Sequence, residues 1–511
     1  MRLPRNPLLA TAALALLVPF SSSAQTANTT EQAALFDAYV AQAAEDWGAV
    51  GLAVAVVKEG ELVFAKGYGT TDIATGAPVD EHTLFAIGST TKAMTAAALG
   101  ILRDEGKLDW DDRVTDHLPG FELSDPYVTR ELTIRDLLTH RAGLGNADML
   151  WYRTGRSAED ILERARYIDP AYSFRGGYTY QNIMYATAGA VVAEVSGLSW
   201  ADFVRERIFI PLGMEDTVPL LAGTAAHNNV AAPHYRLDGE LVRADNASVD
   251  AVDAAGSVWS SVSDMSRWMR LMLAGGEFTD ERTTVRILEP ETHAELLKPQ
   301  IVIPRDQFYP TTRLTEPHWT TYALGWFQQD YNGRFVSFHT GSIDGMVAIN
   351  GLLPDEKIGV YVLGNLDHVE VRHALMYKAF DLWGGDPDGR DWSADLLELY
   401  DGIHEQATAA ANASRQMRVE GTVPSHPLEA YSGTFSDPLY GDVVITLDDD
   451  KLDFSLAELG GGLAHWHYDT FVVDFERAWM GQGPVTFSFD AAGTAISLET
   501  MGRTFHRTAA R

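Results

Sequence analysis

The chain has 511 residues, of which 46% are hydrophobic and 22% charged, and its formal net charge at pH 7 is -32. The length predicts more than one domain and the composition is that of a globular protein with a large core, while the acidic balance makes nucleic acid an unfavourable partner. Cysteine is absent, which excludes disulfides, catalytic thiols and lipid attachment at a cysteine.

The N-terminus has the pattern of a secretory signal sequence. Arg2 and Arg5 give it a basic start, and Leu8–Phe20 is an apolar stretch too short to span a bilayer comfortably. Small residues follow, so we expect a signal peptide over residues 1–24, cleaved near Ala24, and a periplasmic or secreted protein. A membrane anchor is the alternative interpretation. No membrane insertion is expected after cleavage, because later apolar runs are too short.

The segment after the signal predicts one sheet with helices beside it. The predicted strands are 51–57, 62–67, 334–338, 346–352 and 358–363, and the predicted helices are 25–47, 89–103, 133–139, 183–195, 263–273 and 371–383. Strands therefore lie at both ends of this region, with helices between them. The economical arrangement is an antiparallel sheet closed by the first and last segments, with a helical region alongside.

The composition changes near residue 385, where a loop rich in glycine and aspartate begins. Residues 391–416 predict a polar, alanine-rich helix, and short strands separated by turns follow from Tyr431 onward. The later part predicts a small β-barrel or sandwich. We therefore divide the chain into a first domain at 25–390, a helical linker at 391–425 and an all-β domain at 426–511.

A serine and a lysine lie three residues apart at the start of the predicted helix 89–103. In Ser89-Thr90-Thr91-Lys92 the hydroxyl and the amine share one helix face, because residues i and i+3 are neighbours. A serine hydroxyl is a poor nucleophile until a base takes its proton. A lysine one turn away can be that base when burial or neighbouring groups lower its pKa. Ser89 and Lys92 are therefore candidate catalytic residues.

Two further motifs accompany this pair. Tyr180-Gln181-Asn182 lies in a loop just before a predicted helix, and His339-Thr340-Gly341-Ser342 lies at the edge of a predicted strand. In this order and at these separations, the three motifs resemble the active-site elements of the serine β-lactamase and penicillin-binding-protein superfamily. The tyrosine in the second motif is similar to the branch of class C β-lactamases, D-aminopeptidases and esterases.

The resemblance covers roughly residues 30–385, because the segments 137–144 and 211–214 match as well. It implies an α+β fold, with a β-lactamase/transpeptidase-like antiparallel sheet flanked by helices and a helical subdomain. The segments 431–441 and 463–471 resemble the lipocalin-like β-barrel domain attached to many such hydrolases. In relatives that domain can pack near the active site and restrict substrates, which is a hypothesis for this chain.

The resemblance also implies roles for the first two motifs. Ser89 is the nucleophile that forms an acyl-enzyme, and Lys92 and Tyr180 share the proton transfers. Either Lys92 or Tyr180 can be the general base. Asn182 donates to the carbonyl of the substrate and positions Lys92.

For the third motif, the resemblance implies that His339 keeps the network of Tyr180 and Ser89 polarised. The backbone N–H groups of Ser89 and Ser342 are the expected oxyanion hole. Thr340 and Gly341 belong with Ser342 to the substrate-binding strand.

His339 departs from the superfamily pattern, in which the third motif usually starts with lysine. A lysine supplies a permanent cation for a substrate carboxylate, whereas a histidine is cationic only below a pKa near neutrality. A histidine here is similar to D-aminopeptidases and related hydrolases that are not lactamases. The substitution argues against a dedicated β-lactamase.

Several other residues have two interpretations. His140 ends a predicted helix, and we expect it to cap that helix or interact with its dipole instead of taking part in catalysis. Trp151, Tyr152 and Tyr178 either line the pocket or pack in the core. The segment His465-Trp466-His467 is expected to pack in the β-domain, because no third metal ligand is evident nearby. No metal or other cofactor is expected.

The sequence thus predicts an exported serine hydrolase acting through a seryl acyl-enzyme on peptide, amide or ester substrates. Its partner is a small-molecule or peptide substrate, and the oligomeric state stays open. The alternatives are a penicillin-binding protein or sensor that acylates without efficient turnover, or a weak class C-like β-lactamase.

Overall fold

A computed structural model describes residues 22–386 and 389–508 of the chain. The predicted signal peptide, residues 1–24, lies outside the described residues except for its last three positions. The helices are α1 (Ser22–Asp46), α2 (Thr91–Asp104), α3 (Val114–His117), α4 (Pro126–Glu131), α5 (Ile134–Leu138), α6 (Ala158–Arg164), α7 (Asn182–Ser196), α8 (Trp200–Val204), α9 (Ile210–Leu212), α10 (Asp253–Gly256), α11 (Val262–Leu273), α12 (Pro290–Leu296), α13 (Thr312–Thr315), α14 (Val371–Trp383) and α15 (Trp392–Gln416).

The strands fall into a large sheet, a barrel and three short pairs. They are β1 (Gly51–Lys58), β2 (Glu61–Gly69), β3 (Phe85–Ala86), β4 (His234–Leu237), β5 (Glu240–Arg243), β6 (Trp259–Ser260), β7 (Glu277–Thr279), β8 (Thr284–Arg286), β9 (Ile301–Val302), β10 (Thr320–Tyr322), β11 (Phe327–Tyr331), β12 (Arg334–Ile343), β13 (Met346–Leu353), β14 (Ile358–Gly364), β15 (Gly433–Asp437), β16 (Gly441–Asp448), β17 (Lys451–Leu456), β18 (Leu459–His467), β19 (Thr470–Phe475), β20 (Gln482–Phe489), β21 (Ala495–Thr500) and β22 (Arg503–Arg507).

The large sheet has eight antiparallel strands in the order β2-β1-β14-β13-β12-β11-β10-β9. The first strands thus pair with the last, with Val54 opposite Val362, as the sequence predicted. Alternate residues of β1 enter two hydrophobic clusters, since successive side chains of a strand point to opposite faces. Val54 is buried on the face of the sheet that packs against α14, and Ala55 is buried on the face that packs against α11. The α+β fold with helices on both faces of the sheet is confirmed.

Two details of the sheet differ from the sequence prediction. The strands β9, β10 and β11 extend the sheet beyond β12. These strands are short, so their alternation of apolar and polar residues is too weak to recognise in the sequence. The strand β12 also continues to Ile343, so His339–Ser342 lies within the strand and not at its edge. Thr340 and Gly341 pair with Ile349 and Ala348 of β13, so the motif His339–Ser342 is part of the sheet.

The motif Ser89–Lys92 lies where the helical region meets the sheet. The predicted helix at 89–103 begins as α2 at Thr91, and Ser89 belongs to the 3-10 turn Gly88–Thr90 just before it. Its residues from Thr91 to Leu102 are all buried, because α7, α10 and α12 surround it. Ser89 is therefore held on a buried, well-packed segment.

The C-terminal strands β15–β22 close into an eight-stranded antiparallel barrel, with β15 paired to β22. Its interior is filled by alternate side chains such as Phe454 and Phe487, which are buried. The barrel contacts the first domain, where Arg156 Nη2 donates to the Tyr440 carbonyl at 2.7 Å. Across residues 22–386 and 389–508, no helix has both the length and the apolar character needed to cross a membrane.

Candidate active site

Lys92 is completely buried at the start of α2, and its ammonium group contacts three oxygens. It donates to Ser89 Oγ at 3.0 Å, Asn182 Oδ1 at 2.7 Å and the Ala255 carbonyl at 2.8 Å. Burial lowers the pKa of Lys92 to about 7, although the Asp148 carboxylate opposes this shift. An amine with this pKa is substantially neutral near pH 7, so it can accept the proton of Ser89.

Tyr180 presents a neutral phenol beside this pair. Burial raises the pKa of its hydroxyl well above the ordinary value, and the nearby Ser89 hydroxyl acts in the opposite direction. The hydroxyl has no hydrogen-bond partner among the described residues, and Lys92 Nζ lies 4.7 Å from the centre of its ring. Tyr180 is therefore a proton donor at rest, with its hydroxyl free to bond a substrate.

Asn182 begins α7 and joins two charged groups. Its Oδ1 accepts from Lys92, and its Nδ2 donates to Asp148 Oδ1 at 3.0 Å. These two contacts fix which way the amide faces, because only oxygen accepts from an ammonium group. The predicted contact between Asn182 and Lys92 is present.

His339 is buried in β12, and its ring nitrogens bond to Tyr322 and Thr340. Its Nδ1–H donates to the Thr340 carbonyl at 2.6 Å, so its Nε2 accepts from the Tyr322 hydroxyl at 2.9 Å. The Tyr180 and His339 rings are 6.2 Å apart, centre to centre. Burial, with help from Lys92, lowers the pKa of His339 to about 3. His339 is a neutral group near the site and supplies no cation.

Two glycines allow the backbone of β12 to lie against the serine turn, which is the 3-10 turn Gly88–Thr90 that contains Ser89. A Cβ added at Gly88 would lie 2.8 Å from the Ser342 nitrogen, and one at Gly341 would lie 2.0 Å from the Ile87 oxygen and 3.0 Å from the Ser89 nitrogen. Gly88 also has a φ of +54°, which favours glycine. The Ser89 and Ser342 amides, the expected oxyanion hole, are therefore held close together.

A cavity of about 560 Å³ opens onto Ser89. Trp151, Tyr152 and Tyr178 all line it, and Trp151 and Tyr178 also pack against the hydrophobic core. Its full lining is Ser89, Asp148, Met149, Trp151, Tyr152, Tyr178, Tyr180, Asn182, Gln307, Phe308, Tyr309, Pro310, Phe327, Thr340 and Ser342. Among these residues only Asp148 carries an acidic or basic side chain.

His140 has a different place from the one its sequence position suggested. It is buried beyond the end of α5, and burial lowers its pKa well below the usual range, so it supplies no cation to the helix end. Its Nδ1 accepts from the backbone N–H of Gln181 at 3.0 Å, and the centre of its ring lies 4.3 Å from that of Tyr180. His140 therefore supports the second motif.

Tyr322 and Asp148 also contact the predicted site residues, and neither is predicted from the sequence. Tyr322 comes from β10, a strand that was not predicted. Asp148 lies four residues after the segment 137–144 that matches the superfamily. The polar residues that follow this segment are the signal in the sequence that could have indicated Asp148.

The described residues 22–386 and 389–508 contain no group of three or more His, Cys, Asp or Glu side chains placed to hold a metal. His465 and His467 bond to backbone instead: His465 Nε2 to the Tyr468 carbonyl at 2.9 Å, and His467 Nδ1 to the Val419 amide at 3.2 Å.

Known protein families match this chain over both of its domains. A family model described as Beta-lactamase matches residues 36–380, and a domain of unknown function, DUF3471, matches residues 417–508. The unguisins hydrolase of Aspergillus campestris is 28% identical over 438 residues, covering 81% of this chain and 78% of that protein. Protein flp of Staphylococcus aureus is 24% identical over 327 residues, covering 62% of this chain and 60% of that protein.

Solved structures share the fold. The octameric penicillin-binding protein homologue from Pyrococcus abyssi has a TM-score of 0.60 and 20% identity, covering 92% of this chain and 98% of its own. SurE crystallised with D-Leu has a TM-score of 0.53 and 20% identity, covering 94% and 100%.

Proposed function

The chain belongs to the beta-lactamase family, and from this premise we propose that it is a serine hydrolase acting through a seryl acyl-enzyme on peptide, amide or ester substrates. One observation carries the proposal: the Lys92 amine, with a pKa of about 7, lies 3.0 Å from Ser89 Oγ. The pair faces a cavity large enough for a small acyl group with its leaving group.

In the acylation step, Ser89 Oγ attacks the substrate carbonyl carbon while Lys92 takes the seryl proton. The Ser89 and Ser342 amides stabilise the oxyanion, and each such donor typically contributes about 3 kcal/mol to the transition state. Tyr180 gives its proton to the leaving amine or alcohol and regains one from Lys92. A water molecule then attacks the acyl carbon and gives its proton to the Lys92–Tyr180 pair. The pair passes this proton to Ser89 Oγ as the bond between Ser89 Oγ and the acyl carbon breaks, which releases the acid and restores the serine.

The charges in the cavity argue against substrates that are recognised by a carboxylate. His339 is neutral, and Arg372 is buried, where its guanidinium bonds to Glu370 and the Gly341 carbonyl. Among the described lining residues none is a lysine or an arginine. This supports a peptidase, amidase or esterase over a β-lactamase, and the names of the relatives support a hydrolase of some kind.

The test compares the purified protein with Ser89→Ala against D- and L-alanine amides, a p-nitrophenyl ester and a cephalosporin. We expect the wild type to turn over amides or esters and Ser89→Ala to turn over none. Ser263→Ala, a serine on α11 away from the cavity, should match the wild type. Stable labelling by a fluorescent penicillin without any turnover would contradict the hydrolase and favour an acylating binding protein.

We also propose that the protein is exported, on the strength of the N-terminal pattern. The expected mature N-terminus is Gln25, determined by sequencing protein recovered from the periplasm or the medium. A protein that retains residues 1–24 in the cytoplasm would contradict export.

A further inference from the structure

Asp148 is held at the cavity by three neutral hydrogen-bond donors. Its Oδ1 accepts from Asn182 Nδ2 at 3.0 Å and Trp151 Nε1 at 2.9 Å, and its Oδ2 accepts from Asn146 Nδ2 at 3.0 Å. Donors of this kind fix the orientation of a carboxylate. The side chain is thus held in one position at the cavity.

Among the residues that the structure describes, no cation is in direct contact with this carboxylate. Within the described part of the chain, no Lys, Arg or His nitrogen pairs with Asp148, whereas Arg153 is paired with Asp344. Lys92 influences Asp148 only through space, since its own ammonium is committed to three other oxygens. Asp148 is partly exposed and lines the cavity, so a ligand can reach it. The cavity therefore carries a negative charge that a bound cation would balance.

Asp148 also lies close to the reacting atoms. The Asn182 side chain bridges Asp148 and Lys92, and Lys92 in turn contacts Ser89. In an amino-acid amide or ester, the α-ammonium group is only two bonds from the carbonyl carbon that Ser89 attacks. Among the described residues Oδ2 accepts from Asn146 only, so it has room for a further donor. The aromatic wall, with Trp151 bonded to Asp148, suits an ammonium group as well.

We propose that Asp148 is a specificity-determining residue that binds the α-ammonium group of the substrate, so that the enzyme prefers amides and esters of amino acids or peptides with a free N-terminus. This inference rests on the proposed function. A substrate carboxylate in the same place would be repelled.

The test is a ratio of two kcat/KM values, for alanine p-nitroanilide and for N-acetylalanine p-nitroanilide, each as D and L forms at pH 7. The ratio removes any effect on Lys92, because both substrates share the same nucleophile and base. We expect the wild-type ratio to exceed ten for the preferred enantiomer. Asp148→Asn should lower it at least tenfold, and Asp148→Glu should retain more of it than Asp148→Asn does.

Glu159→Gln is the charge-matched control, since it removes one exposed carboxylate at the start of α6 and should leave the ratio unchanged. The wild type alone gives a second measurement. An α-amine with a pKa of about 8 loses its charge above that pH, so the ratio should fall between pH 7 and 9.5.

Two results would overturn the inference: a wild-type ratio near one that does not change with pH, or a ratio that Asp148→Asn leaves intact. Failure of the proposed function looks different. In that case neither substrate is hydrolysed, or Ser89→Ala hydrolyses both as well as the wild type does.

Discussion

Lys92 sets the pH dependence that the mechanism predicts. A base must be unprotonated to accept the seryl proton, and burial places the pKa of Lys92 at about 7. We therefore expect kcat/KM to be constant above that pH and to fall about tenfold per pH unit below it. His339 does not contribute to this limb, because its pKa of about 3 keeps it neutral throughout. The measurement is a profile of kcat/KM from pH 5 to 9 with an uncharged ester.

Asp148→Asn provides the matched comparison for this profile. The carboxylate raises the pKa of Lys92, so its removal should move the acid limb to lower pH while the slope stays the same. A flat profile between pH 5 and 8, or a limb that moves to higher pH in Asp148→Asn, would contradict Lys92 as the base.

At the scale of elements, the contact between β12 and the serine turn should be intolerant of any side chain at Gly341. A Cβ there would lie 2.0 Å from the Ile87 oxygen and would force the strand away from Ser89. Because loss of one oxyanion donor typically costs a factor of about 100 to 1,000, we expect Gly341→Ala to lose at least about 100-fold in kcat. Gly402→Ala, at an open position of α15, should keep full activity. Normal kcat in a folded Gly341→Ala would argue against this oxyanion hole.

The sequence predicted some of these elements well and others poorly, for physical reasons. The pairing of β1 with β14 follows from continuous apolar segments, and the contact of Lys92 with Ser89 follows from their spacing on one turn. The hydrogen bond between His339 and Tyr322 could not be predicted from the sequence. Tyr322 lies on β10, a strand of three residues between β9 and β11 that is too short to show a pattern of apolar and polar residues. The role of Asp148 depends on a loop that only tertiary packing brings to Asn182.

At the scale of the whole molecule, the barrel reaches the cavity wall through one aromatic side chain. Trp479, between β19 and β20, stacks on Tyr235 with ring centres 5.0 Å apart and lies 5.9 Å from the Arg153 guanidinium. Arg153 Nε donates to Asp344 at 2.8 Å, and the Tyr152 hydroxyl donates to the same carboxylate at 2.7 Å. Tyr152 lines the cavity, so the barrel supports one of its walls.

We expect Trp479→Ala to loosen this wall and to change selectivity between acyl groups without changing the chemistry at Ser89. The predicted result is a change of threefold or more in KM for an ester with a bulky aromatic acyl group, with kcat/KM for p-nitrophenyl acetate unaltered. Trp466→Ala, which removes a barrel tryptophan that contacts Arg418, is the control. Unchanged selectivity in Trp479→Ala would show that the barrel does not shape the site through this contact.

The acyl-enzyme mechanism is tested by the covalent state of Ser89 during turnover. The protein is mixed with an alanine p-nitrophenyl ester, quenched in acid during the steady state, digested and analysed by mass spectrometry. We expect the peptide containing Ser89 to gain the mass of the alanyl group, and Ser89→Ala to show neither this adduct nor turnover. Continued hydrolysis by Ser89→Ala, or an acyl group found on another residue, would contradict it.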